Sequence, residues 1–150
     1  MMELASFQPD IPQNLGGLIR LCACLGVKID IIEPCGFPLG DRGLKRVAMD
    51  YFNSSNIIRW KNWAEFKKFK KNQNRLVLLS TNANINYHEF EFSPSDCFIV
   101  GRESSGVPDK VREASDAIIR IPISINYRSL NVVSAAAIVL AEAIRQTNNF

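Results

Sequence analysis

Histidine is almost missing from this sequence: His88 is the only one in 150 residues. It has no acidic or thiol partner at ligand spacing, so no metal site and no Ser/His/Asp catalytic set is expected. The four cysteines, Cys22, Cys24, Cys35 and Cys97, lack paired C-x-x-C spacing. Three sit among apolar neighbours, which reads as reduced core or near-core thiols of a cytoplasmic protein. Neither a G-x-x-x-x-G-K-[ST] loop nor a G-x-G-x-x-G turn occurs, which excludes the common phosphate and dinucleotide cradles. No apolar run reaches membrane-spanning length, and the first residues lack the basic-then-apolar order of an export signal, so no membrane association is expected. Internal repeats and low-complexity tracts are absent too.

What is present suits one α/β domain. Hydrophobic residues make up 47% of the chain, enough for one core, and no linker divides residues 1–150. The net charge of +3 is unevenly spread. Arg59 to Arg75 carries seven basic residues (Arg59, Lys61, Lys67, Lys68, Lys70, Lys71, Arg75) against the single acid Glu65, and this +6 segment leaves about −3 for the remainder. Such a segment is either a phosphate-facing patch or a solvated helix face.

Strand and helix patterns alternate along the chain. Glu3 to Phe7 is a short, weak strand. Pro9-Asp10-Ile11-Pro12-Gln13-Asn14 follows, with Asn14 placed to cap a helix from Leu15 to Leu25 that Gly26 closes. Arg20 lies off the apolar stripe of that helix. Val27 to Glu33 is the clearest strand, ended by Pro34. After a Gly/Pro loop, Asp41 opens a short helix presenting Arg42, Lys45 and Arg46 on an exposed side. Asn56 to Arg59 is a brief strand, and Asn62 with Glu65 forms a capping box for a helix from Trp63 to Lys71 with Trp63, Phe66 and Phe69 inward. Leu76 to Thr81 and Cys97 to Gly101 are continuous apolar strands, as expected where helices cover both sheet faces. Asp109 to Ala114 is a short helix. This order predicts a mostly parallel sheet with helices on both faces.

The run from Ile119 to Gln146 organises the rest. A strand from Ala117 to Ile121 halts at Pro122, a polar loop carries Asn126, Tyr127 and Arg128, and a long helix is expected to start with Ser129 as N-cap. That helix bears two apolar stripes, Leu130/Val133/Ala137/Leu140/Ile144 and Val132/Ala136/Val139/Ala143. A helix apolar on two sides is buried on two sides, which in so small a chain points to the chain's own sheet and a second subunit.

Three polar loops follow strands: Pro9 to Arg20, Gly101 to Pro108 and Pro122 to Asn131. Ligands of open parallel sheets bind beyond the carboxyl ends of strands, so Asn14, Arg20, Glu103, Ser129 and Asn131 are candidate site residues. The stretches PDIPQNLGGLIRLCACLG, FIVGRESSGVP and IRIPISINYRSLNVVSAAA resemble the three motifs of the SpoU-type SPOUT RNA 2′-O-methyltransferases. With IIEPCGF and DRGLKRVAMDY between them, the likeness is nearest to the branch that methylates the wobble ribose (cytidine or uridine) of tRNA.

That resemblance implies a C-terminal trefoil knot (the SPOUT fold), an obligate homodimer, and S-adenosylmethionine held by loops at Leu79 to Asn82, Val100 to Glu103 and Ile121 to Leu130. Leu79, Gly101, Ile121, Ser129 and Leu130 become the implied cofactor contacts. Arg20 matches the family's catalytic arginine, with Asn14, Glu103, Ser129 and Asn131 around it. Whether Arg20 is the base or stabilises charge is left open by the sequence. Arg42, Lys45, Arg46, Lys67 and Lys70 are the expected RNA contacts; no appended RNA-binding domain is seen, which favours small tRNA. Val133 stands where family members usually carry serine. Alternatives in the same frame are 2′-O-methylation of another RNA, ribosomal or at another tRNA position, and a non-catalytic RNA-binding paralogue.

Overall fold

In the computed structural model, which describes residues 1–52 and 56–147, strands and helices alternate as the patterning foresees except between residues 75 and 100, where three strands follow one another with only the short 3-10 turn Tyr87–Glu89 among them. The strands are β1 (Glu3–Phe7), β2 (Lys28–Ile32), β3 (Ile57–Trp60), β4 (Arg75–Leu79), β5 (Ile85–Asn86), β6 (Asp96–Val100) and β7 (Ala117–Arg120). The helices are α1 (Pro12–Leu25), α2 (Asp41–Ala48), α3 (Trp63–Lys70), α4 (Asp109–Ala114) and α5 (Val132–Thr147). All described strand pairs are parallel, in the order β3-β2-β1-β6-β4-β7-β5. β6 lies between β1 and β4, and β7 between β4 and β5, so two late strands enter gaps between earlier ones.

Side chains alternate between the two sheet faces, and both are covered. Leu4, Ile29, Ile31, Val77, Phe98 and Ile119 pack with α1, α2 and α5. Ala5, Phe7, Ile32, Leu78 and Ile99 pack with α3 and α4 on the other side. The weak strand Glu3–Phe7 proves central, paired to both β2 and β6 and buried along its whole length.

Four local readings change. Helix α1 starts at Pro12 with Ile11 as N-cap and no side-chain cap bond. Proline suits a first helical position because its missing N–H would go unbonded there anyway, and Asn14, inside the first turn, is left free to face elsewhere. Helix α5 starts at Val132, and its cap is Asn131, whose Oδ1 accepts from the backbone N–H groups of Val133 (2.9 Å) and Ser134 (3.4 Å). Ser129 is therefore a loop residue. Most of both α5 stripes is covered by the chain itself: Ala136, Val139, Leu140, Ala143 and Ile144 are buried, while Ile138 and Ala141 stay open on the outer side.

The last change concerns the basic segment. Asn62 does cap α3 by accepting from Glu65 N–H at 2.9 Å, and Trp63 and Phe66 are buried, but Phe69 is half exposed and Lys70 is the side chain that turns inward. Lys70 is 2% exposed; its Nζ pairs with Glu3 and lies 3.1 Å from Asp30 Oδ2. A buried ammonium so engaged cannot meet a phosphate, so Lys70 leaves the set of RNA contacts. Arg59 and Arg75 are also spoken for, by Glu33 and Asp96, which leaves Lys61, Lys67, Lys68 and Lys71 as the basic surface.

Candidate active site

The carboxyl ends of β4, β6 and β7 are neighbours in the sheet, and their loops enclose a cavity of about 480 Å³. Leu79, Val100, Ile119, Ile121 and Leu130 give it apolar walls. Its polar rim comes from Asn14, Glu103, Ser129 and Asn131, so four of the five expected catalytic residues and all five expected cofactor contacts line one space.

Gly101 and Gly106 shape the middle loop. A Cβ on Gly101 would meet Gly106 backbone carbon at 2.7 Å, and Gly106 has φ +67°, where other residues are strained. The two glycines let Arg102 and Gly106 exchange backbone hydrogen bonds of 2.9 Å in both directions, folding the loop tightly against the cavity.

Asn131 does two jobs. While its oxygen caps α5, its Nδ2 donates to Asn14 Oδ1 at 3.0 Å, tying the third loop to the first. Glu103 is tied to the first loop as well. Asp10 N–H donates to Glu103 Oε2 (3.1 Å), and Glu103 N–H donates to Asp10 Oδ1 (3.2 Å). The pairing of β1 with β6 makes this possible by setting the two loops side by side. Its electrostatic result is an unequal pair. The hydrogen bond to Glu103 pulls the Asp10 carboxyl down to about 2, whereas burial and the neighbouring Asp10 hold Glu103 above the usual carboxylate range. Asp10 carried no role in the sequence reading; an acid beside Pro9 in a loop is unremarkable until the β1–β6 pairing is known.

Arg20 does not join this group. Six residues beyond Asn14 it is turned by roughly 240° and displaced by roughly 9 Å along an α-helix. Its exposed guanidinium lies 5.6 Å from the ring centre of Tyr51 and does not line the cavity. Val133 does not line it either: the valine packs on α1, with a Cγ 2.8 Å from where a Cβ on Gly17 would stand. Arg42, Lys45 and Arg46 are exposed on α2, on the α1/α5 side, and Lys67 is half buried on α3, on the opposite face.

A parallel α/β sheet with a ligand-sized cavity beyond its strand ends defines a class of binding fold, and sequence comparison gives the family. The chain belongs to the SpoU rRNA Methylase family, whose model matches residues 1–141. It is 50% identical over 144 residues to a tRNA (cytidine(34)-2'-O)-methyltransferase of Beijerinckia indica subsp. indica, covering 95% of this chain and 90% of that one. It is 44% identical over 150 residues to the enzyme of the same name from Ancylobacter novellus, covering 99% and 95%. A solved structure concerned with the 2-OH methylation of C/U34 on tRNA superposes with a TM-score of 0.90 at 31% identity, covering 100% of this chain and 98% of that one.

Proposed function

We propose that the chain is an S-adenosylmethionine-dependent methyltransferase acting on the ribose 2′-hydroxyl of the wobble nucleotide, cytidine or uridine 34, of tRNA. The observation that carries this is the match to relatives of that name over nearly their whole lengths, at up to 50% identity. The cavity fits the cofactor: apolar walls from Leu79, Val100 and Ile121 suit a flat heterocycle, and the three loops offer main-chain N–H and C=O groups for its edges. Leu79, Gly101, Ile121, Ser129 and Leu130 would hold it. Once bound, it supplies an electrophilic methyl group.

The chain's own task is alignment and charge control. Asn131 and Asn14, each fixed by the other, make a rigid polar wall, and Glu103 is locked beside them by Asp10. An arginine guanidinium is hardly ever deprotonated in proteins, so we assign Arg20 to stabilising the oxygen as it loses its proton and to holding the neighbouring phosphate.

Because Arg20 stands outside its own chain's cavity, it serves the cavity of a second copy. A homodimer joined through α1 and the outer face of α5 meets this need, and open Ile138 and Ala141 are the apolar surface that supports it. Mixing Arg20→Ala with Asn131→Ala chains tests the arrangement. Dimers holding one of each keep one intact composite site and regain activity; a mixture as inactive as its parents refutes the sharing. The insertion of β6 and β7 between earlier strands supports a trefoil knot in the C-terminal half. A chain that stretches to its full contour length when pulled from its ends is unknotted.

Among the described residues no helix is long and apolar enough to cross a membrane, and we place the protein in the cytoplasm, with tRNA, as a single domain. The test of the function is transfer from labelled S-adenosylmethionine to bulk tRNA, followed by mapping of the methylated nucleotide. A 2′-O-methyl at position 34 is expected. Transfer only to ribosomal RNA or to another tRNA position would overturn the substrate, and absence of transfer would overturn the activity.

A further inference from the structure

Past Ile121 a second cavity of about 240 Å³ opens beside the first. The two share Thr81, Arg120, Ile121 and Ile123 as a common wall, while Pro122, Tyr127 and Arg128 belong to the second alone. No acidic side chain lines it, and among the described residues neither Arg120 nor Arg128 is in an ion pair. Arg120 is held in place: its Nε donates to Asn86 Oδ1 at 3.0 Å, across the β5–β7 pairing, which leaves the outer nitrogens of the guanidinium free of that bond. Tyr127 is 73% exposed at the end of a turn closed by its N–H donating to Ser124 O at 3.0 Å.

Two unpaired guanidinium groups with no compensating acid make a site for an anion, and an open tyrosine ring beside them makes a platform for a flat base. Phosphate and base within one small cavity are the parts of a nucleotide. Because the second cavity shares a wall with the one assigned to the cofactor, a nucleotide held there stands beside the ribose that the cofactor must reach. We propose that the second cavity is a subsite for the nucleotide adjoining the target ribose in single-stranded RNA, with Arg120 and Arg128 on its phosphate and Tyr127 on its base. The proposal rests on the methyltransferase reading. It locates RNA binding on the third-motif loop, separate from the basic residues of α2 and α3.

The test uses the full chain, a seven-nucleotide single-stranded oligoribonucleotide and S-adenosylmethionine as separate probes, with Tyr127→Ala and Arg128→Gln as variants. Both side chains are exposed, so both variants fold. Tyr127→Ala is expected to weaken oligonucleotide binding roughly tenfold, and Arg128→Gln to weaken it and flatten its salt dependence by about one phosphate contact. S-adenosylmethionine affinity stays at the wild-type value in both. Wild-type binding of RNA with both variants unaffected overturns this proposal alone, as does a parallel loss of S-adenosylmethionine affinity, which would make the cavity part of the first site. A wild-type chain that binds no RNA overturns the parent reading with it.

Discussion

Replacing Lys70 by methionine separates a core residue from a surface patch. Lys70, Asp30 and Glu3 are 2%, 0% and 8% exposed, packed between α3 and the sheet, and the Trp60 indole donates to Asp30 Oδ1 at 2.6 Å. Methionine keeps most of the lysine stem and its packing, so the change removes chiefly the ammonium and leaves two buried carboxylates facing each other. Breaking a buried ion pair from one side typically costs about 3–5 kcal/mol. For a domain of this size, that corresponds to a fall in Tm of roughly 6–20 °C. Burial raises the Asp30 pKa, against the opposing pull of Trp60 and Lys70. A carboxyl raised in the folded state binds its proton more tightly there than when unfolded, so stability from it is present at low pH and lost as pH rises through the folded value. Without Lys70 that folded value climbs further, so the deficit of Lys70→Met is largest at neutral pH and shrinks on acidification. Urea unfolding at several pH values measures it, with Lys68→Met, on the exposed side of α3, expected to stay within about 0.5 kcal/mol of wild type. A Lys70→Met protein within 1 kcal/mol of wild type at neutral pH would refute the reasoning.

Gly17→Ala would ordinarily stabilise a helix interior by about 1 kcal/mol. Here the new Cβ meets Val133 at 2.8 Å, so a loss of about 1–3 kcal/mol in denaturant unfolding is expected, and Val133→Ala added to it should recover most of the loss. Asp10→Asn keeps an acceptor for Glu103 N–H but removes the charge, so the raised Glu103 pKa falls and the acid limb of the pH–rate profile moves to lower pH; an unmoved limb shows that Glu103 does not titrate in that limb. Arg20→Ala leaves unfolding and cofactor binding near wild type while transfer falls by the equivalent of about 3–4 kcal/mol, read as kcat under saturating substrates.

The element order was legible because it rests on local rules. Alternating apolar runs, Gly26 after α1 and the Asn62 cap of α3 each act within a few residues, and each stands where patterning puts it. What escaped depends on pairing at long range. Lys70 belongs to a run of lysines by composition, and only the neighbouring positions of Glu3 and Asp30 on paired strands make it a core residue. Ser129 and Asn131 are both good N-caps by type; the helix is capped by Asn131, whose amide also reaches Asn14, 117 positions away, a contact that local patterning does not show. β5 is two residues long and held at the edge by β7, too short for any periodicity to announce. The loops after the strands pointed to the candidate polar residues, but their roles and the cofactor contacts came from motif resemblance, because isolated Asn, Glu and Ser in loops carry no spacing signal.

The strand order explains why those loops form a site at all. β4, β6 and β7 are separated in sequence by helices and turns, yet β6-β4-β7 are consecutive in the sheet and run the same way, so three carboxyl ends open on one space. β1 pairs with β6 on the other side and brings Asp10 and Asn14 to the same edge. Three of the polar residues there also have a structural bond: Asn131 caps α5, Asn14 anchors Asn131, and Glu103 locks the first loop to the second. A site built from side chains already fixed in this way needs little ordering when a ligand arrives, which is the condition that alignment-driven transfer requires. Arg20, by contrast, makes no such bond within the described residues and stands outside the cavity, the position expected of a group whose counterpart lies on another molecule.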